Sequence, residues 1–508
     1  MIDPFAPWWS RTSASDRHLA QRLAQHLGEG TEGCETGRVR AVLVAPGFPT
    51  SLRDHHKPFL ADHARALAGA GARVTVVCPA HPDAPRRHVV GGIEVRRVRF
   101  GPAAVEARVA RGESYRALSG MAKLWVVPMI VGLFVAAARQ ARRGPGRPIG
   151  SSQPADEPGG GDNHGAAVSA KAASGGTAIH GHWWFPCGLV AAAAARAAGR
   201  RVSGIVHLHG SDAAVTDNVV RRWLARRVLR RADAIAAVSQ ELRDWSASLV
   251  LGRRILRVPP HTVSPAPHRK PLLRVVSMPV AVERFGPATP VPVSGPVVAV
   301  GRLMAEKGFD VVIGAVALID PSVRPQVVIV GAGPDRAVLE ALALRRGVNV
   351  QFTGAVAPGE VAQWYRRARV VCVPSRREGF GMVAAEAVAA GRPVVATAVG
   401  AAAQFVTDGV NGFLVPPDDA VALSHALAEA LRPGSLQSLT TGSSEPRKLK
   451  TGPDGTAPDN AANAGDTDRA ADTDRAAEAT AASVLGAFGP QAHAAALLEL
   501  YGELDQRR

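Results

Sequence analysis

The stretch SRREGFGMVAAEAVAAGRPVVAT, residues 375–397, sets Glu378 and Glu386 on either side of a Gly-Phe-Gly and along a run of alanines. An unpaired buried carboxylate is strongly disfavoured, so Glu386 either faces water or meets a polar partner. The strand VVCVPS ends at Ser375, and the spacing predicts a helix from near Gly381 to a cap at Gly391. Glu378 then lies in the strand-to-helix loop. The amides of Gly381, Met382 and Val383 form a helix N-terminus, which is a seat for phosphate. Glu386 falls one turn in, where its carboxylate could accept bonds from ribose hydroxyls. Binding a vicinal diol needs only a fixed acceptor and no proton transfer. A second group, Arg302 and Lys307 in GRLMAEKG, directly follows the strand PVVAV. Two cations beside glycines that admit close backbone approach suit a diphosphate, although a solvated charged turn explains the pair taken alone. The loop VGAGP, which contains Gly333, follows the next strand, but no Gly-x-Gly-x-x-Gly completes it. That counts against a dinucleotide fingerprint.

These groups need strand ends to carry them. Runs RVRAVLVAP, ARVTVVCP, IEVRRVRF, TAIHGH, SGIVHLHG and ADAIAAVS precede about residue 260, and PVVAVGR, PQVVIVGAG, VNVQFTG, ARVVCVPS and RPVVAT come after it. Val/Ile-rich runs apolar on both faces, separated by helical stretches, read as parallel sheets covered on both sides. The expectation is α/β: two Rossmann-like, doubly wound domains facing each other across a cleft. The boundaries expected are an N-terminal extension at 1–37, a first domain at 38–258 and a linker at 259–295. A second domain occupies 296–432, and a C-terminal helix at 483–508 packs back on the body. Segments 144–176 and 433–482 are rich in Gly, Ser, Pro, Asp and Ala, lack large apolar residues, and read as disordered. The Asp-x-Asp pairs in the tandem DTDRAADTDRAA lie inside the second of these, so a metal-holding role for them is not supported.

The 508 residues carry a formal charge of +17, with seven lysines against 53 arginines. Such a chain is drawn to polyanions: nucleic acid, an anionic membrane face or phosphorylated small molecules. Aromatic content of 5% and the lack of any recognition pattern argue against specific nucleic-acid binding. Four cysteines far apart, Cys34, Cys78, Cys187 and Cys372, form no Cys-x-x-Cys pair and fit a reducing cytoplasm. The N-terminus lacks the apolar core of a signal peptide. The longest apolar run, LWVVPMIVGLFVAAA at 124–138, is short for a membrane span. It reads as a core or groove-lining helix or, because Arg139, Arg142, Arg143 and Arg147 come next, as a helix dipping into a membrane interface.

The pattern R-E-G-F-G-M-V-x-x-E-A-x-A-x-G-x-P-V-V-A-T resembles the Glu-x7-Glu signature of the family-4 retaining glycosyltransferases, which have the two-Rossmann GT-B fold. GFPTSLRDHHKPFLADHARALAGAGARVTVVCP resembles the first strand–loop–helix of the branch that builds bacterial exopolysaccharides. IHGHWWFPCGLVAAAAARAAGRRVSGIVHLHGSD resembles that branch's acceptor-side segment, and GRLMAEKGFD its phosphate-binding one. The four motifs stand in the family's order. The resemblance implies that Arg302 and Lys307 hold the donor's diphosphate, with Gly333, Gly379, Met382 and Val383 in the donor-binding loops. Glu378 and the amides of Phe380 and Gly381 would contact the transferred sugar, and Glu386 the ribose. His209 in HLHGSD matches the histidine facing the donor sugar, with His182, Gly210 and Asp212 on the acceptor side.

The resemblance further implies a retaining transfer with no protein nucleophile. The nucleoside diphosphate departs, and the acceptor hydroxyl attacks from the same face. Arg302, Lys307 and the helix amides stabilise charge on the leaving diphosphate, so no cofactor and no metal is required. The implied partners are a UDP- or GDP-sugar and a lipid-linked or exopolysaccharide acceptor, worked on at the cytoplasmic face of an anionic membrane. Three positions depart from the pattern. The loop GFPTSLRDHH lacks paired glycines, MPVAVERF stands at the hinge in place of Asn-Gly-Val-Asp, and Gln404 replaces a glutamate. The alternatives are another enzyme on the same fold, such as a nucleotide-sugar epimerase or a phosphorylase, and a weakly catalytic nucleotide-sugar-binding protein.

Overall fold

A computed structural model describes residues 39–54, 57–110, 124–143, 176–216, 218–251, 271–285, 289, 291–432 and 486–507. The expected extension at 1–37, all but the last residue of the segment 144–176, and the segment 433–482 lie outside the described residues.

The apolar runs build two sheets. The first has eight strands: β1 Arg40–Val44, β2 Arg73–Pro79, β3 Arg87–Val90, β4 Ile93–Val98, β5 Thr177–His182, β6 Val202–Leu208, β7 Ala234–Ala237 and β8 Leu272–Val275. Their order is β3-β4-β2-β1-β5-β6-β7-β8, all parallel except β3, which runs antiparallel to β4. The second sheet has β9 Val297–Val300, β10 Val327–Val330, β11 Val350–Gly354, β12 Val370–Val373, β13 Val394–Thr397 and β14 Gly412–Val415, in the order β11-β10-β9-β12-β13-β14. Strands such as β6, β10, β12 and β13 are buried along their whole length. That is why they read as continuous apolar runs rather than as alternating ones.

Both sheets reverse their winding in the middle, between β1 and β5 in the first and between β9 and β12 in the second. Loops leaving the carboxyl ends at such a switch point diverge and open a crevice. The loops after β9 and β12 are those carrying Arg302, Lys307 and Glu378.

One expected boundary is corrected. The segment 259–295 is not linker throughout, because Leu272–Val275 pairs with β7 in register from Ala234↔Leu272 to Ala237↔Val275. Four residues with two prolines nearby are too short to announce themselves as a strand, and only the free edge of β7 selects them.

The helix Val126–Arg142 covers β1, β2 and β4, with Met129, Leu133, Ala137 and Ala138 in the core. It lies so close that a Cβ at Gly132 would sit 2.6 Å from a Val98 methyl. Leu124, Val127 and Val131 stay more than half exposed on its outer side. Among the described residues no helix is long and apolar enough to cross a membrane. The final helix, Pro490–Gln506, lies on the first domain, burying Leu497, Leu500, Tyr501 and Leu504. Just before it, Phe488 packs between Phe380 and Phe405 of the second domain. The chain end therefore ties the two domains together.

Candidate active site

The loop after β9 turns sharply to place its cations. Gly308 adopts φ +66°, and a Cβ there would fall 2.0 Å from the Pro374 carbonyl oxygen, so only glycine lets this loop lie against the end of β12. Lys307 thereby reaches Glu378, Nζ to Oε1, at 2.5 Å, and Ser375 Oγ donates to the same carboxylate oxygen at 2.8 Å. Arg302 is exposed beside them and leans on the Met304 sulfur. Gly333 does not point into the cleft. A Cβ on it would meet the Leu303 carbonyl oxygen at 2.2 Å, so it props the Arg302 loop from behind.

Arg376, a residue the motif gives no role, straps these loops together. Its guanidinium binds both carboxylate oxygens of Asp310, at 2.9 and 2.7 Å, and also bonds Asp418 and the Ala305 carbonyl. Those carboxylates, Asp310 first, raise its already high pKa, and it holds the Asp310 carboxyl below the usual range. The signal in the sequence was a second arginine in SRREGFG, but its acidic partners lie 66 and 42 residues away.

The helix Met382–Ala389 starts at Gly381, which takes φ +92° as its cap. Gly379 and Gly381 lie in the turn before it, the Phe380 ring is buried, and Met382 and Val383 are half-buried in the first turn. Phe380 can offer a ligand only its backbone. Glu386 is half-buried and meets a polar partner: Tyr365, fully buried, donates its hydroxyl to Oε2 at 3.0 Å. Burial pushes the Glu386 carboxyl up to about 7, against the Tyr365 bond and the Arg284 charge, which lower it. Tyr365 sits on a different helix, Pro358–Arg367, so nothing local to the Glu386 motif announced it.

The first domain contributes the opposite rim. After β6 the chain turns through His209 and Gly210, the latter at φ +60°. A Cβ on Gly210 would lie 2.6 Å from Gly379 Cα, and one on Gly379 would lie 2.7 Å from Gly210 Cα. The two domains thus meet backbone to backbone, bringing the His209–Gly210 turn onto the Glu378–Gly379 loop.

Two of the residues expected on the acceptor side turn inward. His182 is fully buried behind His209, its Nδ1 2.9 Å from His209 Nε2. Asp212 also turns inward, accepting from the backbone amides of Trp184 (2.7 Å) and His209. Burial pushes its carboxyl up to about 7 despite those amides. Both residues are buried and hydrogen-bond His209, His182 through its ring and Asp212 to the backbone amide. Trp183 is half-exposed on this rim, its ring tilted against His209 at 4.5 Å between centroids and anchored by Nε1 to Ser211 Oγ at 2.9 Å. It stands next in the sequence to His182 in HGHWW. Lys57, at the end of the loop after β1, is half-buried near Arg302, and desolvation lowers its ammonium to about 8.

Residues 57–261 match the family model of the glycosyl transferase 4-like domain, and residues 295–439 that of glycosyl transferases group 1. Over 154 residues the chain is 43% identical to a D-inositol 3-phosphate glycosyltransferase of Xylanimonas cellulosilytica, covering 29% of this chain and 36% of that one. The chain spans between 29 and 66% of the length of eight curated relatives it matches. Among solved structures, sucrose-phosphate synthase from Thermosynechococcus elongatus superposes with a TM-score of 0.61 at 20% identity, over 92% of this chain and 99% of that one. The Anabaena protein HepE, in complex with UDP-glucose, does so with a TM-score of 0.55 at 16% identity, over 91% and 99%. These likenesses show a GT-B arrangement.

Proposed function

The chain belongs to the group 1 glycosyl transferases, and on that premise we propose that it moves a sugar from a nucleoside-diphosphate donor to an acceptor hydroxyl with retention of anomeric configuration. The observation that carries this is the meeting of Lys307, Glu378 and the His209–Gly210 turn at one seam between the domains. In this reading the donor diphosphate takes Lys307 from Glu378 and lies between Arg302 and the Gly381–Val383 amides, with Gly333 behind the loop. Lys307 and Arg302 stabilise the charge that grows as the diphosphate leaves. Glu378, released, accepts hydroxyls of the transferred sugar, and Glu386 those of the ribose. His209, backed by His182 and with Trp183 tilted against it, faces the sugar from the acceptor side. With two cations at the diphosphate, transfer needs no Mg²⁺. UDP is the first nucleotide to test, because structural neighbours are solved with UDP or UDP-glucose.

For the acceptor, we propose a lipid-linked one met at an anionic membrane face. The helix Val219–Leu229, beyond the His209 turn, exposes Val219, Val220 and Trp223 by 83, 73 and 58%. Arg221, Arg222, Arg226 and Arg227 surround them on the same helix. Apolar tips ringed by arginines match an interface of acyl chains beneath anionic headgroups. A soluble phosphorylated acceptor is the second reading, favoured by the name of the Xylanimonas relative.

The test is a thermal-shift panel of UDP, GDP and ADP with and without Mg²⁺, then transfer assays with the donor so identified. Ligand at a hundredfold over its dissociation constant adds about 2.7 kcal/mol, a rise of several degrees. One diphosphate giving that rise without metal, and a product with the donor's anomeric configuration by NMR, meet the proposal. No shift with any of them sinks it. Product formed without an acceptor marks an epimerase, and a need for free phosphate marks a phosphorylase. Flotation with anionic vesicles, reduced in Trp223→Glu, separates the lipid-linked acceptor from the soluble one.

A further inference from the structure

Six histidines crowd the first domain behind the cleft: His63, His180, His182, His207, His209 and His493. All but His209 are buried. Two backbone carbonyls fix the direction of their hydrogen bonds, because a carbonyl only accepts and a neutral imidazole has one N–H. The Val276 oxygen accepts from His207 Nε2 at 2.9 Å. His207 Nδ1 therefore accepts from His180 Nε2 at 3.1 Å, and His180 Nδ1 from the Tyr501 hydroxyl at 2.9 Å. In the same way the Ser277 oxygen accepts from His493 Nδ1 at 2.6 Å, so His493 Nε2 accepts from His63 Nδ1 at 2.9 Å.

This leaves His63 Nε2 as a bare lone pair, buried and with no hydrogen-bond partner among the described residues. His182 Nε2 is likewise buried and unpartnered, while its Nδ1 faces His209 Nε2. A buried polar nitrogen without a partner is disfavoured, and here two occur on rings only 4.6 Å apart, centroid to centroid. One ring nitrogen from each of His63, His180 and His182 lies within 4.8 Å of those of the other two.

We propose that His63, His180 and His182 hold one divalent transition-metal ion of the zinc class. Imidazole ligands without a thiolate or carboxylate select zinc, cobalt, nickel or copper over magnesium and calcium. Desolvation holds all three rings well below their ordinary pKa, hence neutral, the form a metal requires. A ligating histidine also donates its other N–H to a fixed acceptor. His63 already does so to His493, and a metal on His182 Nε2 puts the His182 proton on Nδ1, aimed at His209. His180 joins by giving up either Tyr501 or His207. Nitrogens about 2.0 to 2.1 Å from zinc stand closer together than 4.8 Å, so the rings draw in on binding. The ion would set the tautomer of His209 from behind the cleft and is separate from any metal at the diphosphate.

Untagged full-length protein, stripped with chelator, is titrated with ZnCl2 by calorimetry and with CoCl2 by visible absorption. One zinc per chain is expected, with the intense bands of four-coordinate cobalt. X-ray absorption of the zinc-loaded wild type should show a shell of nitrogen and oxygen near 2.0 Å with imidazole scattering. His63→Gln should lower affinity by more than the roughly 10- to 100-fold that losing an outer partner costs. His493→Gln, which keeps an acceptor for His63 Nδ1, should still bind one ion. No zinc in the wild type, a sulfur-containing shell, or unchanged affinity in a folded His63→Gln would each overturn the proposal. Because the X-ray absorption measurement uses only wild-type protein, it decides the matter even where that variant fails to fold.

Discussion

On the C-terminal rim of the cleft the polar groups are ionic and half-exposed: Lys307 on Glu378, Arg376 on Asp310 and Asp418, Arg302 beside them. On the N-terminal rim they are neutral and ride on a buried layer: half-exposed His209 on buried His182, with Trp183 tilted against it. In the proposed transfer this difference would match what each side is asked to do. A diphosphate would be drawn in by cations that stay partly hydrated until it arrives, with their carboxylate partners keeping them placed meanwhile. A reacting sugar hydroxyl would need orientation without another charge, which a desolvated imidazole and an indole face can supply. The seam between the rims is bare backbone, Gly210 on Gly379, so that the two chemistries meet at contact distance.

The comparison is broken most severely by Lys307→Ala. If the C-terminal rim carries the charge stabilisation, turnover should fall about 10²- to 10³-fold, as for loss of one transition-state donor. Steady-state product formation measures it, and a loss of only a few-fold would move that role to Arg302. Gly379→Ala comes next. Its Cβ would force the rims apart, and a misplacement of about 1 Å can cost about 10²-fold. Turnover should drop by that order while the melting temperature stays near wild type. Wild-type turnover in Gly379→Ala would mean that catalysis uses a more open arrangement.

Glu386 gives a smaller effect and a pH signature. Its carboxyl, raised to about 7, is disfavoured as the anion in the folded protein. The penalty therefore grows as pH rises from the ordinary carboxylate range through 7. A ribose diol needs the anion as acceptor, so nucleotide affinity should rise between pH 6 and 8, with proton release on binding below 7. Calorimetry in two buffers of different ionisation enthalpy reads the proton. Glu386→Gln should weaken binding about tenfold, in line with a hydrogen bond to a charged group, and flatten the slope. An identical slope in the variant would assign it to the phosphate instead. The mildest change, Tyr365→Phe, removes one neutral donor from Glu386 and should lower unfolding stability by about 1 kcal/mol, read by denaturant titration.

Legibility differed between the rims for a physical reason. Glu378, the Gly381 cap and Glu386 lie within nine residues of one loop and helix, so backbone geometry alone relates them. Arg302 and Lys307 were equally readable, as a glycine-flanked loop after an apolar strand. Tyr365 and Arg376 were not, because each acts on a partner more than twenty residues away. Gly333, which the resemblance sets in a donor-binding loop, packs on the Leu303 backbone, since Gly-x-Gly records close backbone approach without saying to what.

By itself, then, the sequence determined the two parallel sheets, through their apolar strands, and the grouping of Glu378, Gly381 and Glu386, through local spacing. Tertiary structure alone decided that His182 and Asp212 turn inward, that Leu272–Val275 completes the first sheet, and that histidines from one early helix, two strands and the last helix converge. Periodicity says which face of an element is buried. Which buried groups meet is settled only when the sheets wind and the C-terminal helix returns, because hydrogen-bond partners are chosen by position in space, across separations as large as the 430 residues between His63 and His493.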